Sequence, residues 1–129
     1  MIKYLELEEI LIIHARIIDE TGGSHGVREL SQLASMIERP KLQFSGRDLY
    51  PTIFDKAAAY FESGAYHHSF VDGNKRTAIV LVTRFLHLNG FELKVSNKKL
   101  EEFVFSAVVK KYNLLKIATW VKKHSVCQN

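Results

Sequence analysis

The 129-residue sequence has one cysteine, two prolines and no long uninterrupted apolar run. One cysteine excludes an intrachain disulfide framework and is typical of proteins from a reducing cytosol. The first residues, MIKYLELEE, lack the apolar centre of a signal peptide, and the most apolar stretches are interrupted, one by His14 and Arg16, the other by Arg84 and His87. These absences predict a cytoplasmic protein that neither crosses nor binds a membrane.

Two classes of site are disfavoured for the same kind of reason. His67 and His68 are neighbours, but zinc needs three or four ligands, the single cysteine is far away at Cys127, and HExxH spacing is absent. The formal net charge is +4, yet the lysine pairs are scattered and show neither interleaved aromatic residues nor a recognition-helix pattern. We therefore expect no direct nucleic-acid binding, while a basic balance suits an acidic protein or a nucleotide phosphate.

The sequence does contain enough apolar residues for one sizeable core. They make up 47% of a chain of one domain's length, so we expect a single domain over residues 1–129. Apolar spacing and the positions of glycine and proline predict a compact all-α bundle of about six helices, with a small β-hairpin at 41–49 and a short strand at 91–95. The predicted helices cover 6–20, 27–38, 51–64, 74–89, 98–111 and 113–123, and the tail at 125–129 is expected to be frayed.

The helix starts carry recognisable signals. Pro51 suits the first turn of the third helix, because its fixed φ is compatible with that position. Ser96 or Asn97 precedes the fifth helix and Asn113 the sixth, and all three are residue types that cap helix N-termini. The alanines of the third helix form a small face that would allow close packing against the fourth.

The fourth helix, 74–89, is strongly apolar, with apolar residues almost all round, and it is predicted to lie in the middle of the core. Asp72 or Asn74 is the expected N-cap, and Asn89-Gly90 supplies the left-handed residue that commonly ends a helix.

Polar chemistry is concentrated where this helix begins. A helix N-terminus offers unpaired N–H groups to an anion, and Gly73 lets a phosphate approach the backbone. Lys75 and Arg76 in the first turn would be unfavourable there without an anion, and Asp72 is an oxygen ligand suited to Mg²⁺. His68 lies in the approach loop, where a helix N-terminus keeps imidazole neutral and able to accept a proton. The combination indicates phosphoryl or nucleotidyl transfer.

The run His68-Ser69-Phe70-Val71-Asp72-Gly73-Asn74-Lys75-Arg76 resembles the Fic superfamily signature HxFx[D/E]GNGRxxR. In detail it is similar to the Doc (death-on-curing) branch, in which the second half reads NKRTA. Similar residues at Gly22-Gly23, Arg39-Pro40 and Tyr50-Pro51 extend the resemblance over nearly the whole chain. It implies the Fic/Doc fold, with the hairpin as a flap beside the active site.

Two departures from the general Fic signature affect the expected activity. Lys75 stands where Fic proteins carry a second glycine, and Ile79 where they carry a second arginine, which in the AMP-transferases helps to hold the outer phosphates of ATP. The Doc branch shares both departures. The resemblance therefore implies a toxin-type protein kinase that moves the γ-phosphate of ATP to a threonine of translation elongation factor Tu. The alternatives are a Fic-type AMP-transferase and a non-catalytic phosphate-binding domain.

By resemblance, each signature residue receives a role in binding Mg²⁺ and ATP or in the transfer. His68 would be the general base and Phe70 an apolar residue that fixes the loop in the core. Asp72 would bind Mg²⁺. The anion-binding site would be formed by Gly73 and Asn74, with Lys75 and Arg76 neutralising phosphate charge. In the flap, target docking would fall to Gln43, Phe44, Ser45 and Gly46.

The resemblance also implies partners. Some Fic proteins carry an inhibitory helix with the pattern [S/T]xxxE[G/N], and this sequence has no such pattern. Inhibition would come from another chain, a cognate antitoxin of the Phd-like kind, and the substrate would be a translation factor.

Three side chains outside the signature have two readings each. His14, in the first helix, either approaches the site or is a hydrogen-bonded core or boundary residue, and the second reading is favoured. Arg28 and Arg39 either reach a phosphate or form ordinary surface ion pairs, and again the second is favoured.

Overall fold

The computed structural model describes residues 1–128 and confirms the all-α class. Within that part of the chain, six α-helices are joined by short connections and accompanied by four short strands. The helices are α1 (Leu7–Thr21), α2 (Leu30–Glu38), α3 (Ile53–Tyr66), α4 (Asn74–Leu88), α5 (Asn97–Lys110) and α6 (Leu114–Lys123). The strands are β1 (Gln43–Phe44), β2 (Arg47–Asp48), β3 (Phe91–Leu93) and β4 (Ser125–Cys127).

The core is built around α3 and α4, which pack most extensively against each other, and α3 also packs against α2 and α6. Ala78, Leu81 and Phe85 of α4 are completely buried. Gly64 of α3 lies so close to α4 that a Cβ atom there would be 2.9 Å from the Cβ of Ala78. Close packing of small residues between these helices is therefore confirmed. The apolar surface of α4 is not buried all round, because Val80 is exposed.

The start of α3 differs from the prediction. Pro51 precedes the helix, and Thr52 is its N-cap. The Thr52 hydroxyl accepts a hydrogen bond from the Asp55 N–H at 3.0 Å, while the Asp55 carboxylate accepts one from the Thr52 N–H at 3.2 Å. This reciprocal capping box satisfies two N–H groups, whereas proline in the first turn satisfies none. The predicted caps of α5 and α6 are confirmed as Ser96 and Asn113.

The second helix begins at Leu30, three residues later than predicted. Val27 instead forms an antiparallel bridge with Phe70. The Arg28 N–H donates to the Ser69 carbonyl at 2.8 Å, and the Val71 N–H donates to the Gly26 carbonyl at 3.0 Å. Segment 26–29 is therefore extended, because its backbone pairs with the loop before α4 rather than with itself.

The hairpin predicted at 41–49 is confirmed. Strands β1 and β2 pair antiparallel, with Phe44 opposite Arg47. The two turn residues, Ser45 and Gly46, both have positive φ (53° and 75°), as a type I′ turn requires. Below the hairpin, the completely buried Lys56 of α3 donates to the Asp48 carboxylate at 3.2 Å and to the carbonyls of Pro40 and Tyr50.

The expected fraying of the tail is wrong for residues 125–128. Strand β4 pairs antiparallel with β3, with Phe91 opposite Cys127 and Leu93 opposite Ser125. The pairing continues through the Gln128 N–H, which donates to the Gly90 carbonyl at 2.9 Å. The predicted strand after α4 is therefore present but shorter, and it has a partner. The last tail residue, Asn129, lies outside the described residues.

The N-terminal segment also bonds to the residues that directly follow α4. The Lys3 N–H donates to the side-chain oxygen of Asn89 at 2.9 Å, and the Asn89 amide donates back to the Lys3 carbonyl at 2.8 Å. Asn89 and Gly90 thus bind both ends of the described chain at the C-terminal end of α4. Gly90 has a φ of +87°, as the left-handed residue after the helix was expected to have.

None of the helices formed by residues 1–128 combines the length and the hydropathy needed to cross a membrane.

Candidate functional site

A cleft of about 720 Å³ lies in front of the N-terminus of α4. It contains all six polar or glycine residues of the signature that were expected to act on substrate: His68, Asp72, Gly73, Asn74, Lys75 and Arg76. They converge because the loop before α4 wraps across the first turn of that helix. The grouping predicted from sequence spacing is therefore present as a single concave site.

The loop has one buried and one exposed side. Phe70 is 1% exposed and fills the core beneath the loop, as the resemblance implied, whereas His68 is exposed and has a positive φ of 29°. Backbone pairing of residues 26–29 with Ser69 and Val71 holds the loop from its other side. The Phe70 side chain and this pairing together place His68 at the mouth of the cleft.

Asn74 closes the loop onto the helix. Its side-chain oxygen accepts from the Phe70 N–H at 3.0 Å, and its amide nitrogen donates to the Phe70 carbonyl at 2.9 Å. The side chain is thereby engaged in the loop, which leaves backbone N–H groups as the part of Asn74 that faces an anion. The expectation that Asp72 or Asn74 caps α4 is wrong, because the N-cap is Gly73 and no side chain caps the helix.

Gly73 is required by its conformation and its surroundings. Its φ is +75° and ψ is 18°, in the left-handed region that favours glycine. A Cβ atom would lie 2.9 Å from Cδ1 of Ile18 and 3.8 Å from Nε2 of His14. The start of α4 is thus packed directly against α1, and the N–H groups of its first turn, which have no intrahelical partners, are available to an anion.

The Asp72 carboxylate is held in place by backbone donors. The Gly73 N–H donates to one oxygen at 2.8 Å and the Ser24 N–H to the other at 3.2 Å. These two bonds, with the nearby charge of Arg76, lower the pKa of Asp72 below its ordinary value. Gly23 permits this approach, since a Cβ there would be 2.6 Å from Oδ2 of Asp72. The carboxylate is therefore ionised near neutral pH and lies at the cleft surface.

Arg76 connects the cleft to the end of α1. Its Nη1 donates to the Gly22 carbonyl at 2.9 Å and to the Thr21 hydroxyl, while Nη2 lies 3.6 Å from Oδ1 of Asp72. A guanidinium at a helix C-terminus satisfies carbonyls that lack intrahelical partners. Arg76 therefore has a structural contact as well as a position in the cleft. Lys75 is exposed beside it.

His14 was favoured as a hydrogen-bonded core residue, and that reading is confirmed. It is 4% exposed, and its ring stacks on Phe70 with centroids 3.8 Å apart and planes 6° apart. Its Nε2 lies 2.8 Å from the Asp72 carbonyl oxygen. The partner is therefore the signature loop itself, so the residue also approaches the site. A signal was available in the sequence, because His14 lies between Ile10 and Ile18 at four-residue spacing on the buried face.

The far wall of the cleft was not predicted from sequence. It is formed by Tyr66 at the end of α3 and by Val108 and Lys111 at the end of α5. The Tyr66 hydroxyl donates to the carbonyl oxygens of Ala107 and Tyr112, and burial raises the pKa of Tyr66 to about 12. Tyr66 lies two positions before the signature, but Val108 and Lys111 lie more than about thirty positions after it, and no local pattern in the sequence links them to it.

Two other expectations concern residues outside the cleft. Among the described residues that line it, none belongs to the flap set Gln43, Phe44, Ser45 and Gly46. Arg39 forms an ion pair with Glu62 and also donates to the Tyr50 hydroxyl at 2.9 Å, so the ion-pair reading is confirmed for Arg39.

Comparison with known proteins gives the family. The family model described as the Fic/DOC family matches residues 4–86, more than half of the chain. Over 93 residues the chain is 41% identical to Toxin Doc of Mycolicibacterium smegmatis, covering 72% of this chain and 69% of that relative. Over 91 residues it is 28% identical to Protein kinase doc of Escherichia phage P1, covering 70% and 71%. The chain therefore belongs to the Fic/Doc family and, within it, to the branch of the Doc toxins.

Proposed function

We propose that this protein is the toxin of a type II toxin–antitoxin module and a protein kinase. It transfers the γ-phosphate of ATP to a Ser or Thr hydroxyl of a translation factor similar to elongation factor Tu. The observation that carries the proposal is one cleft in which His68, an ionised carboxylate and the side chains of Lys75 and Arg76 meet at a helix N-terminus. Phosphoryl transfer needs such a proton acceptor and such positive groups. A relative named a protein kinase supports the same activity.

Ile79 favours transfer of the γ-phosphate over transfer of AMP. It stands where the AMP-transferases of the Fic superfamily carry the arginine that holds the outer phosphates. In this chain its side chain packs against the hydrophobic core, near Phe61 and Val82. This position therefore supplies no cation to hold the outer phosphates of ATP. Without that cation, presentation of the α-phosphate to the acceptor is less favoured.

The residues around Asp72 suit Mg²⁺ that arrives on a nucleotide. Within residues 1–128, no group of three or more His, Cys, Asp or Glu side chains is placed to hold a metal ion. Mg²⁺ usually keeps water and phosphate oxygens beside one or two carboxylates, so a single ionised carboxylate fits that pattern. Asp72 would bind the ion. The N–H groups of the first turn of α4, beginning with that of Asn74, would bind phosphate oxygens, and Gly73 would let the phosphate approach them. When bound, ATP with Mg²⁺ supplies the phosphoryl group.

The chain's own side chains would divide the chemistry as follows. His68 accepts the proton of the target hydroxyl as its oxygen forms a bond to the γ-phosphorus. The bond between that phosphorus and the β–γ bridging oxygen breaks, and ADP leaves with the electron pair. Lys75 and Arg76 offset the negative charge on the transferred and leaving phosphates. Exposure of His68 at the cleft mouth leaves room for a protein acceptor.

Labelled ATP tests the proposal directly. Purified protein with Mg²⁺ and a bacterial extract is incubated in parallel with α-labelled and γ-labelled ATP. We expect label on a protein from the γ-position alone, lost in His68→Ala and in Asp72→Ala. The matched control is His67→Ala, which removes a neighbouring exposed histidine of the same cleft and should retain transfer.

The other outcomes identify the alternatives. Label from the α-position would show the protein to be an AMP-transferase and overturn the kinase. If folded, antitoxin-free protein transfers label from neither position, a non-catalytic phosphate-binding domain would be favoured.

The same proposal includes an antitoxin as partner. The 129-residue sequence lacks the [S/T]xxxE[G/N] pattern, so a Phd-like chain would supply inhibition in trans. Expression of the protein alone should stop growth and protein synthesis, and expression of His68→Ala should not. Co-expression of a candidate antitoxin chain should restore growth, and its failure to do so would remove that candidate.

A further inference from the structure

His14 belongs to α1, but it contacts the signature loop at Phe70, Asp72 and Gly73. Its ring is stacked on Phe70, and its Nε2 lies 2.8 Å from the carbonyl oxygen of Asp72. The same nitrogen is 3.8 Å from the position that a Cβ on Gly73 would occupy. A carbonyl oxygen only accepts hydrogen bonds, so Nε2 carries the proton and donates it.

This hydrogen bond determines how the peptide group between Asp72 and Gly73 is oriented. In a planar trans peptide the C=O and the following N–H point in opposite directions. When the Asp72 carbonyl faces His14, the Gly73 N–H therefore faces away from α1. There it donates to Oδ1 of Asp72 at 2.8 Å, which is the leading cause of the lowered pKa of that carboxyl.

Because residue 73 is a glycine, the peptide group before it needs a contact from another element to hold its orientation. Gly73 adopts positive or negative φ with similar ease, so the peptide group before it is free to rotate unless something holds it. Rotation by half a turn would direct the Asp72 carbonyl oxygen at the cleft, where it would repel a phosphate. It would also remove the N–H that orients the Asp72 carboxylate.

We propose that His14 is a positioning residue, which fixes the peptide group between Asp72 and Gly73 so that the Gly73 N–H holds the Asp72 carboxylate in place beside the bound nucleotide. The inference rests on the proposed function for the nature of the ligand. Its structural part, the orientation of one peptide group, stands on the hydrogen bond and the burial of His14 alone.

Two variants separate the hydrogen bond from the packing. His14→Phe keeps a ring that can stack on Phe70 and removes the donor. His14→Gln removes the ring and keeps a donor at nearly the same distance from the backbone as Nε2. His14→Asn places its donor one bond too short to reach the Asp72 carbonyl, and it serves as a second donor-loss variant if the Phe variant does not fold.

The first measurement is hydrogen exchange of the Gly73 amide by NMR without nucleotide. The second is the Kd for a non-hydrolysable ATP analogue with Mg²⁺. For His14→Phe and His14→Asn we expect both faster exchange and a Kd weakened about tenfold, the scale of one lost hydrogen bond. His14→Gln should stay near wild type in both. Ile10→Val, a change at a buried α1 residue one turn earlier, is the control for general destabilisation.

Two results would overturn the inference. One is wild-type exchange and Kd in a folded His14→Phe variant. The other is a His14→Gln variant as impaired as His14→Phe, because a side chain that keeps the donor would then fail to restore the peptide orientation. If wild-type protein binds no ATP analogue, the proposed function fails instead, and the Gly73 exchange rates still decide the role of His14.

Discussion

Replacing Gly64 with alanine should destabilise the protein, although alanine is the better helix former. Gly64 lies inside α3, where a new Cβ would be 2.9 Å from Cβ and 3.1 Å from Cα of Ala78. Carbon atoms prefer separations of roughly 3.5–4.0 Å. Neither contact is the end of a flexible side chain, so α3 and α4 must move apart by roughly half an ångström or more.

The magnitude follows from two opposing effects. Overpacking a tight interface costs about 1–3 kcal/mol, and replacing a helical glycine by alanine returns about 1 kcal/mol. The net loss of unfolding free energy is then at most about 2 kcal/mol, which lowers Tm by up to about 8 °C in a chain of this size. Because α4 carries the cleft at its first turn, the same displacement would misplace the anion-binding site.

Thermal and urea unfolding of Gly64→Ala, Ala78→Gly and the double variant form a mutant cycle. Removing the Ala78 Cβ relieves the closer of the two contacts, so the double variant should be more stable than the sum of the single effects by about 1 kcal/mol. A rise in Tm for Gly64→Ala, or strict additivity in the cycle, would show that α3 and α4 are not in close contact at this point.

Other predictions concern charges. Arg39→Met leaves Glu62 unpaired in a largely buried position and should cost about 2 kcal/mol in urea unfolding, partly recovered by adding Glu62→Gln. Lys56→Met removes a completely buried ammonium from two carbonyls and Asp48; we expect a loss of about 2 kcal/mol and faster proteolysis in the hairpin, and unchanged proteolysis would contradict its role there. The folded pKa of Asp72 is lowered, so its contribution to stability is present above the unfolded pKa and is lost as pH falls through the folded value. Asp72→Asn should therefore flatten the acid limb of a stability-against-pH curve, and an unchanged limb would refute this.

Local sequence information predicted the central helix well. The bounds of α4 and the glycine after it follow from apolar spacing and from Asn89-Gly90, which act within a few residues. Its N-cap was predicted wrongly, because Asp72 and Asn74 are residue types that usually cap helices. Here their side chains bond instead to Gly73, Ser24 and the backbone of Phe70, and the helix start relies on Gly73.

Long-range pairing explains the other errors. Val27 has a helical neighbourhood in sequence, but its backbone pairs with Phe70. Residues 125–127 have weak propensity of their own, and they form β4 because β3 offers a strand edge. His14 and the cleft wall at Val108 and Lys111 belong to the same class. Spacing along the chain identified the residues of the signature, but it contained no information about which distant helices pack against them.

The meeting of Lys3 and Gln128 at Asn89 and Gly90 makes the protein convenient to engineer. Asn89 and Gly90 follow the last turn of α4, and the cleft lies before its first, so 15 residues, or about 22 Å of helix, separate the two. A fluorophore attached next to Lys3 or Gln128 would emerge on the side opposite the cleft. Since Lys3 and Gln128 bond to adjacent residues, a short linker would join these two residues. Circularly permuted chains, opened for example at the exposed Ser45-Gly46 turn, would then keep the cleft intact.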